Sequence, residues 1–148
     1  FNGTAKRMEK IAENENGFVF RDFAHAPSKV RATVSAMKEN YPDKQVLAVL
    51  ELHTFSSLNP AFLPQYQGSL AKADEAIVFY NPEVASHKRL EILGAEEIRK
   101  AFGAPNLKVA THRSELLSLV KEKSSDQSAY LFMSSGNFGG IDWAEELR

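Results

Sequence analysis

Three short segments of the sequence contain the side chains best suited to binding a ligand. The first is "DFAH", residues 22–25, where a carboxylate, an aromatic ring and an imidazole precede Pro27. Asp22 could accept hydrogen bonds from two ribose hydroxyls, and His25 could donate to an acceptor or lie against a base. The alternative interpretation is that Asp22 caps a turn and His25 lies in solvent.

The other two segments carry hydroxyl groups and glycines. In "LHTFSS", residues 52–57, His53 could bind an anionic group of a substrate, or it could cap Thr54. In "MSSGNFGG", residues 133–140, backbone N–H groups could face a carboxylate or a phosphate. The alternative for this third segment is a turn that glycine makes sterically easy.

Several kinds of site are not supported by the sequence. Neither G-x-G-x-x-G nor G-x-x-x-x-G-K-[ST] occurs, so a free-standing phosphate-binding loop is not expected. The four histidines, at positions 25, 53, 87 and 112, include no pair at the spacing of a helical zinc site. The chain has no cysteine, which excludes thiolate ligands and cysteine nucleophiles and fits a reducing compartment. We therefore predict no metal ligands and no catalytic nucleophile.

The three segments need a scaffold, and the hydrophobic pattern predicts one. "GFVF" and the residues before "ENENG" indicate a β-hairpin, and an amphipathic helix follows from Pro27 to about Tyr41. Apolar runs then alternate with helical patterns along the rest of the chain. We predict strands at 45–50, 75–80, 107–110 and 129–134, and helices at 61–73, 94–103 and 114–122.

This alternation predicts an α/β fold, with a Rossmann-like, mostly parallel sheet, helices on both faces and an N-terminal antiparallel β-hairpin. The length of 148 residues fits one domain. Open sheets of this type bind ligands at the carboxyl ends of their strands. The three polar segments each follow a predicted strand, so we expect them to meet at that edge.

Composition narrows the range of partners. The net charge is −1, with no basic surplus that would favour nucleic acid. No apolar run approaches the roughly 18 residues typical of a membrane span. The first residues, "FNGTAKRMEK", contain neither an initiator Met nor the apolar stretch of a signal peptide. We therefore expect the chain to be a piece of a longer protein.

Several motifs together resemble the C-terminal domain of the Mur ligase family. "DFAHAPSKV" is similar to the family pattern D-[YF]-A-H-x-P followed by a helix, and "FNGTAKRMEK" is similar to its F-x-G-x-x-x-R-x-E segment. "YQGSLAKADEAIVF" resembles a helix with the ending L-x-x-A-D, and "MSSGNFGGI" resembles the M-S-N-G-x-F-G-G-I run of the murein peptide ligases. The resemblance extends over essentially the whole chain.

The resemblance implies an ATP-dependent amide ligase of peptidoglycan synthesis or recycling. In this family a carboxylate of UDP-N-acetylmuramate is phosphorylated by ATP, and an amine then attacks the acyl phosphate. A central ATPase domain carries the P-loop and the Mg²⁺ ligands, and the C-terminal domain closes over the nucleotide. Residues 1–148 would be that C-terminal domain of a three-domain cytoplasmic enzyme, inactive when isolated.

The same resemblance implies roles for particular residues. Asp22, Phe23 and His25 would bind the nucleotide. The side of the site that faces the incoming amine or the acyl phosphate would contain His53, Thr54, Ser135, Gly136 and Asn137.

Two differences from the family bear on the acceptor. The first is Ala26, which stands where many members have a second histidine after the first. Members that add L-alanine carry H-R-Y-T-R-T where this chain has "HTFSSL", so Thr54 and Ser57 replace two arginines. This favours an enzyme of the murein peptide ligase type, which uses a recovered tripeptide, over an L-alanine ligase. A second hypothesis, motivated by the missing P-loop, is a stand-alone α/β module that binds a nucleotide or peptide without catalysis.

Overall fold

Within the part of the chain that the structure describes, six strands form one mixed sheet at the centre of the molecule. The computed structural model describes residues 8–14, 17–24, 26–52, 62–80, 95–104, 107–122, 128–134 and 138–146. The strand order is β1-β2-β6-β3-β4-β5. The strands are β1 (Met8–Asn14), β2 (Gly17–Asp22), β3 (Gln45–Glu51), β4 (Glu75–Phe79), β5 (Lys108–Ala110) and β6 (Ser128–Met133).

The strand directions confirm the predicted fold class. β1 and β2 form the expected antiparallel hairpin, with one register shift between Lys10 and Ala12. Every other pairing in the sheet is parallel. Within the described residues the helices are α1 (Pro27–Asn40), α2 (Ala95–Phe102), α3 (Arg113–Glu122) and α4 (Trp143–Glu146), with 3-10 turns at Leu63–Tyr66 and Phe138–Gly140.

The sheet has a separate hydrophobic core on each face, because side chains alternate along each strand. In β3, Val46, Ala48 and Leu50 face one core, and Leu47 and Val49 face the other. The first core, which we call the α1 face, also contains buried residues of α1, α2 and the 3-10 turn at 63–66. The second, the α3 face, contains residues of α3 together with Phe138 and Trp143.

Helix α1 begins where the proline predicts but without a side-chain cap. Pro27 is the first helical residue, where its missing N–H costs no hydrogen bond. The N-cap is Ala26, and no side chain caps the helix. The apolar spacing is confirmed, because Val30, Val34 and Met37 are buried.

The helix predicted over 61–73 is wrong in extent and type. The described part of this segment contains only the 3-10 turn Leu63–Tyr66, followed by turns. Pro64 has no N–H to extend a helix, and Gly68 has a φ of 76°, in the left-handed region. The apolar residues Leu63, Tyr66 and Leu70 are nevertheless buried against the α1 face.

The last strand, β6, inserts between β2 and β3, which sets the composition of the carboxyl edge. In register, Met133 of β6 lies beside Asp22 of β2 on one side and Leu50 of β3 on the other. The next residues along the chains are therefore neighbours at this edge. These are Phe23, Ser134 and Glu51.

No helix in the described part of the chain is both long and apolar enough to cross a membrane.

Candidate functional site

The turn that leaves β2 is held by the first of the predicted ligand-binding side chains. Asp22 is 4% exposed, and its Oδ1 accepts a hydrogen bond of 2.7 Å from the backbone N–H of Ala24. This is an Asx turn, in which a side-chain oxygen replaces a backbone acceptor. The alternative interpretation of Asp22 as a turn cap is thereby confirmed, and the turn directs the chain into α1.

Phe23 projects from that turn into solvent. Its side chain is 57% exposed, and it is the one exposed large hydrophobic residue in the described ranges. The alternation of strand β2 places Arg21 on the same side, where its guanidinium pairs with Glu9 at 2.9 Å. An exposed aromatic ring beside a charged group at a sheet edge is suited to stacking on a flat ligand.

A buried carboxylate at the end of β3 is the feature that the sequence reasoning missed. Glu51 is 4% exposed. Its Oε1 accepts a hydrogen bond of 2.5 Å from Ser134 Oγ and one of 2.9 Å from the backbone N–H of Phe138. We call these three residues the carboxylate clamp. The sequence interpretation placed Glu51 at the start of a polar loop, whereas it is the last residue of strand β3, which is buried from Val46 onward.

The clamp residue Ser134 also joins two of the three segments that the sequence singled out, the one that begins at Asp22 and the one at 133–140. The backbone N–H of Ser134 donates to the carbonyl of Asp22 at 3.1 Å. Ser134 thus contacts β2 through its backbone and β3 through its side chain. The carboxyl edge is connected across three adjacent strands, although the carboxylates of Asp22 and Glu51 lie on opposite faces of the sheet.

Aromatic side chains of the α3 face pack against Phe138 and so support the clamp. Phe138 has a φ of 55°, in the left-handed region that non-glycine residues adopt at a cost of roughly 1–2 kcal/mol. Its buried ring stacks with Phe79 and meets Phe132 and Trp143 edge to face. Phe132 and Trp143 stack with their centroids 4.1 Å apart. These contacts hold the left-handed conformation of Phe138.

A cavity of about 460 Å³ opens beside these residues on the α3 face. Its walls are apolar at Phe23, Phe138 and Trp143, and polar at Arg21 and Ser134. Two of the segments predicted to bind ligands therefore border one concave surface.

Tyr80 contributes a neutral hydroxyl to the region beyond β4. Burial raises the pKa of Tyr80, and the negative charge of Glu97 raises it further. Its backbone N–H donates to the carbonyl of Ala110 at 3.1 Å. A phenol with a raised pKa stays protonated near neutral pH, so Tyr80 is not suited to act as a base.

Most of the predicted site residues lie outside the described residues. This applies to His25, His53, Thr54, Ser135, Gly136 and Asn137. For the last three, the flanking residues Ser134 and Phe138 are described, and both belong to the clamp. No group of three potential metal ligands from His, Asp or Glu occurs within the ranges that the structure describes.

The parallel sheet and its polar carboxyl edge define the class of open α/β ligand-binding domains. Within that class, the family model for "Mur ligase, glutamate ligase domain" matches residues 6–136. The chain belongs to this family, which confirms the resemblance seen in its motifs. The family is one of ATP-dependent amide ligases, and it includes ligases of peptidoglycan metabolism.

Known relatives agree with this assignment. Over 78 residues the chain is 35% identical to the UDP-N-acetylmuramate–L-alanine ligase of Desulfitobacterium hafniense. These aligned residues make up 53% of this chain and 17% of that relative. A solved domain from Haemophilus ducreyi, assigned to a UDP-N-acetylmuramate:L-alanyl-γ-D-glutamyl-meso-diaminopimelate ligase, is 25% identical. It aligns over 90% of this chain and 92% of its own, with a TM-score of 0.63.

Two further structures share the fold. The murein peptide ligase of Psychrobacter arcticus is 22% identical, with a TM-score of 0.72 over 91% of this chain and 28% of its own. A folylpolyglutamate synthase/dihydrofolate synthase from Yersinia pestis, solved with AMPPNP and a manganese ion, is 16% identical. Its TM-score is 0.58 over 88% of this chain and 28% of its own. The chain thus spans about a quarter of the length of these larger ligases.

Proposed function

We propose that residues 1–148 form the C-terminal domain of a three-domain cytoplasmic ligase that joins an amino acid or peptide to UDP-N-acetylmuramate. The observation that carries the proposal is the register of the carboxyl edge. It places the Asp22–Phe23 turn, Ser134 and Glu51 on three adjacent strands, at the edge where open α/β sheets bind ligands.

The nucleotide side of the site is the turn at 22–25. The Asx turn holds Phe23 in the exposed position that would let its ring lie against a base. His25 is the residue directly after Ala24 in the sequence. Asp22 has one oxygen committed to the Ala24 amide, so its role is to position this turn and to supply negative charge close to a ribose.

The acceptor side of the site is the pair of segments that contain His53 and residues 135–137. Side-chain hydroxyls, an imidazole and backbone N–H groups suit the carboxylates of an amino acid or peptide and the oxygens of an acyl phosphate. The replacement of two arginines by Thr54 and Ser57 favours the tripeptide L-Ala-γ-D-Glu-meso-diaminopimelate over L-alanine. A P-loop and Mg²⁺ ligands would come from a central domain upstream, and Mg²⁺ would neutralise charge on the transferring phosphate.

This division of labour follows from the chemistry of an acyl phosphate. Such an intermediate hydrolyses when water reaches it, so a domain that closes over it has to orient the amine and exclude solvent. Those tasks require binding groups and a rigid edge, and they require no nucleophile from this chain.

The test uses the full-length ligase with the variants D22N, F23A and H25A. Asparagine keeps an oxygen that can accept from the Ala24 amide but removes the charge. We expect each variant to raise the KM for ATP by roughly tenfold, the equivalent of about 1.4 kcal/mol, and to leave the KM for the amine unchanged. The control is E39A, at the exposed end of α1 on the opposite edge of the sheet.

An unchanged KM for ATP in all three variants would overturn the nucleotide assignment. Comparing kcat/KM for L-alanine and for the tripeptide decides between the two acceptors. Full-strength ATP binding by residues 1–148 alone, in a parent protein that lacks a P-loop, would favour the stand-alone binding module instead.

A further inference from the structure

We propose that the cavity beside Phe138 and Trp143 binds the far end of a peptide acceptor, and that Arg21 recognises a carboxylate there. The ligand group that fits the cavity is an aliphatic stem whose end bears both a carboxylate and an ammonium group. The inference rests on the proposed function, because it takes the acceptor to be a peptide. It adds a subsite on the α3 face and gives Arg21 a role in choosing the acceptor.

The size and position of the cavity are the first argument. Its volume of about 460 Å³ lies within the range of small-molecule pockets. Phe138 and Gly140 border it, and both belong to the segment 133–140 that contains the predicted acceptor residues. From this segment the cavity extends to Arg21 of β2 and to Trp143 of α4. A peptide whose amino end lies at the segment can therefore place its far end in the cavity.

The balance of charge in the cavity is the second argument. Among the lining residues that the structure describes, Arg21 and Asp142 alone carry a charge, and the two charges are opposite. A guanidinium donates several N–H groups to a carboxylate, and a carboxylate accepts from an ammonium group. Phe23 also borders the cavity, so ATP is the competing occupant. A lining without net charge suits a ligand end that carries both charges better than it suits a polyphosphate.

The present ion pair of Arg21 is one that a ligand can replace. Arg21 Nη2 lies 2.9 Å from Glu9 Oε1, and the two side chains are 56% and 59% exposed. Such a pair contributes little to stability, because both groups are hydrated when it is broken. A carboxylate bound in the cavity is partly removed from water, so its hydrogen bonds with Arg21 would be stronger than those from Glu9.

The apolar wall of the cavity contains a donor without an acceptor. Ile11, Ile141 and Trp143 line this wall, and their apolar surface suits the methylene groups of a stem. Trp143 is 4% exposed, and its Nε1–H has no hydrogen-bond partner within the part of the chain that the structure describes. A buried donor in this state carries a desolvation penalty. A ligand oxygen at this wall would supply the missing acceptor, which the apolar neighbours of Trp143 cannot do.

The experiment measures kcat/KM in the full-length ligase for the tripeptide L-Ala-γ-D-Glu-meso-diaminopimelate and for two analogues. Lysine in place of diaminopimelate removes only the far carboxylate, and α-aminopimelate removes only the far amino group. We expect R21A to lower kcat/KM for the tripeptide by roughly 10- to 100-fold and to change it for the lysine analogue by less than about threefold. R21K keeps the charge without the fork of N–H groups, so it should fall between R21A and the wild type.

Two further variants test the other charges. D142N removes the charge of Asp142 and keeps the oxygen that accepts from the Glu145 N–H at 3.2 Å. We expect D142N to lower kcat/KM for the tripeptide by about tenfold and to leave it unchanged for the aminopimelate analogue. E9A removes the group that competes for Arg21. The KM for the tripeptide should therefore fall by roughly two- to fivefold, and the KM for the lysine analogue should stay the same.

The matched control is R31A. Arg31 is an exposed arginine of α1, and its Nη2 donates to the carbonyl of Gln67 at 2.7 Å. Because Arg31 is not among the residues that line the cavity, R31A should change kcat/KM for the tripeptide and for the lysine analogue by the same factor. A general effect of removing a surface arginine would give that equal change in R21A as well.

Three outcomes would overturn the proposal: an unchanged kcat/KM for the tripeptide in R21A, an equal loss for the tripeptide and the lysine analogue, or a KM for ATP raised as much as the KM for the tripeptide. If R21A does not yield folded enzyme, R21K and E9A decide, because wild-type kinetics in both contradict the role of Arg21. Failure of the proposed function gives a different result. A wild-type enzyme that ligates L-alanine and no peptide overturns the peptide acceptor itself, whereas ligation of the tripeptide with unimpaired R21A overturns only this subsite.

Discussion

The two edges of the sheet each contain a carboxylate that accepts from one backbone N–H and one side chain. At the amino edge, Asp74 Oδ2 accepts from Val46 N at 2.8 Å and from Lys38 Nζ at 2.7 Å. At the carboxyl edge, Glu51 uses two neutral donors, and it is buried. The Asp74 side chain is 37% exposed, and its partner is a cation.

The difference between the edges follows from their surroundings. An exposed carboxylate is hydrated before and after folding, so its ion pair adds little to the free energy of unfolding. Loss of that ion pair leaves no buried polar group without a hydrogen-bond partner. A buried carboxylate has given up that hydration, and its donors have no substitute when it is removed. The amino edge is therefore suited to a structural contact that tolerates change. The carboxyl edge is suited to a contact whose geometry has to persist, as at a binding site.

The largest expected effect tests the aromatic support of the carboxyl edge. Phe132→Ala removes a fully buried ring stacked on Trp143, and such truncations cost about 3–5 kcal/mol. The control is Phe23→Ala at the same edge, which is largely exposed and should change the free energy of unfolding by less than about 0.5 kcal/mol. Urea unfolding measures both. Equal losses would mean that the carboxyl edge does not depend on the packing beneath it.

The next effect compares the two carboxylates directly. Glu51→Ala leaves Ser134 Oγ and the Phe138 N–H without their acceptor, and we expect a loss of about 1–3 kcal/mol in the free energy of unfolding. Asp74→Ala should cost about 1 kcal/mol or less, because its partly exposed partners can bind water. A larger loss in Asp74→Ala than in Glu51→Ala would reverse the comparison.

The smallest effect is the pH dependence of the amino edge. Burial raises the pKa of Asp74, but the hydrogen bonds from Lys38 and Val46 and the charge of Lys38 together hold it below its usual value of 3.8. A lowered pKa contributes stability that is present above the unfolded value and is lost as the pH falls through the folded value. The contribution should be at most about 1 kcal/mol, given the exposure of the pair.

Asp74→Asn isolates this contribution, because it keeps an oxygen acceptor and cannot ionise. We expect the difference in free energy of unfolding between the wild type and Asp74→Asn to be constant from neutral pH to about pH 5 and to shrink below pH 3.8. Unfolding curves at a series of pH values measure it. A difference that grows on acidification would show that the sign of the shift is wrong.

Local patterns were enough to predict most of the elements. The hairpin, α1 with its buried Val30 and Val34, and the buried runs of β3, β4 and β6 are confirmed, because hydrophobic period and turn residues act over a few positions. Helix α2 ends where Gly103 predicts, with a φ of 65° at that glycine. The helix prediction around Pro64 was wrong because the apolar residues Leu63 and Tyr66 have the spacing of a helix face, whereas the segment forms only a 3-10 turn there.

The site was predicted less completely than the fold. Asp22 and Phe23 were singled out because an acid and an aromatic before a proline follow a strand directly, and their role in binding a nucleotide stays a prediction. Glu51 was missed because an acidic residue after an apolar run resembles the start of a loop. The only local signal was that "QVLAVLE" has no turn residue before Glu51, so the strand could continue through it.

By itself the sequence determined the α/β class, the positions of the strands and the family, because all three can be recognised from local hydrophobic periodicity and short motifs. Only the tertiary structure decided that β6 lies between β2 and β3 and that Glu51 receives the donors of Ser134 and Phe138. These partners are 83 and 87 positions from Glu51 along the chain. Strand order and the burial of a carboxylate are properties of the assembled sheet, which no local pattern encodes.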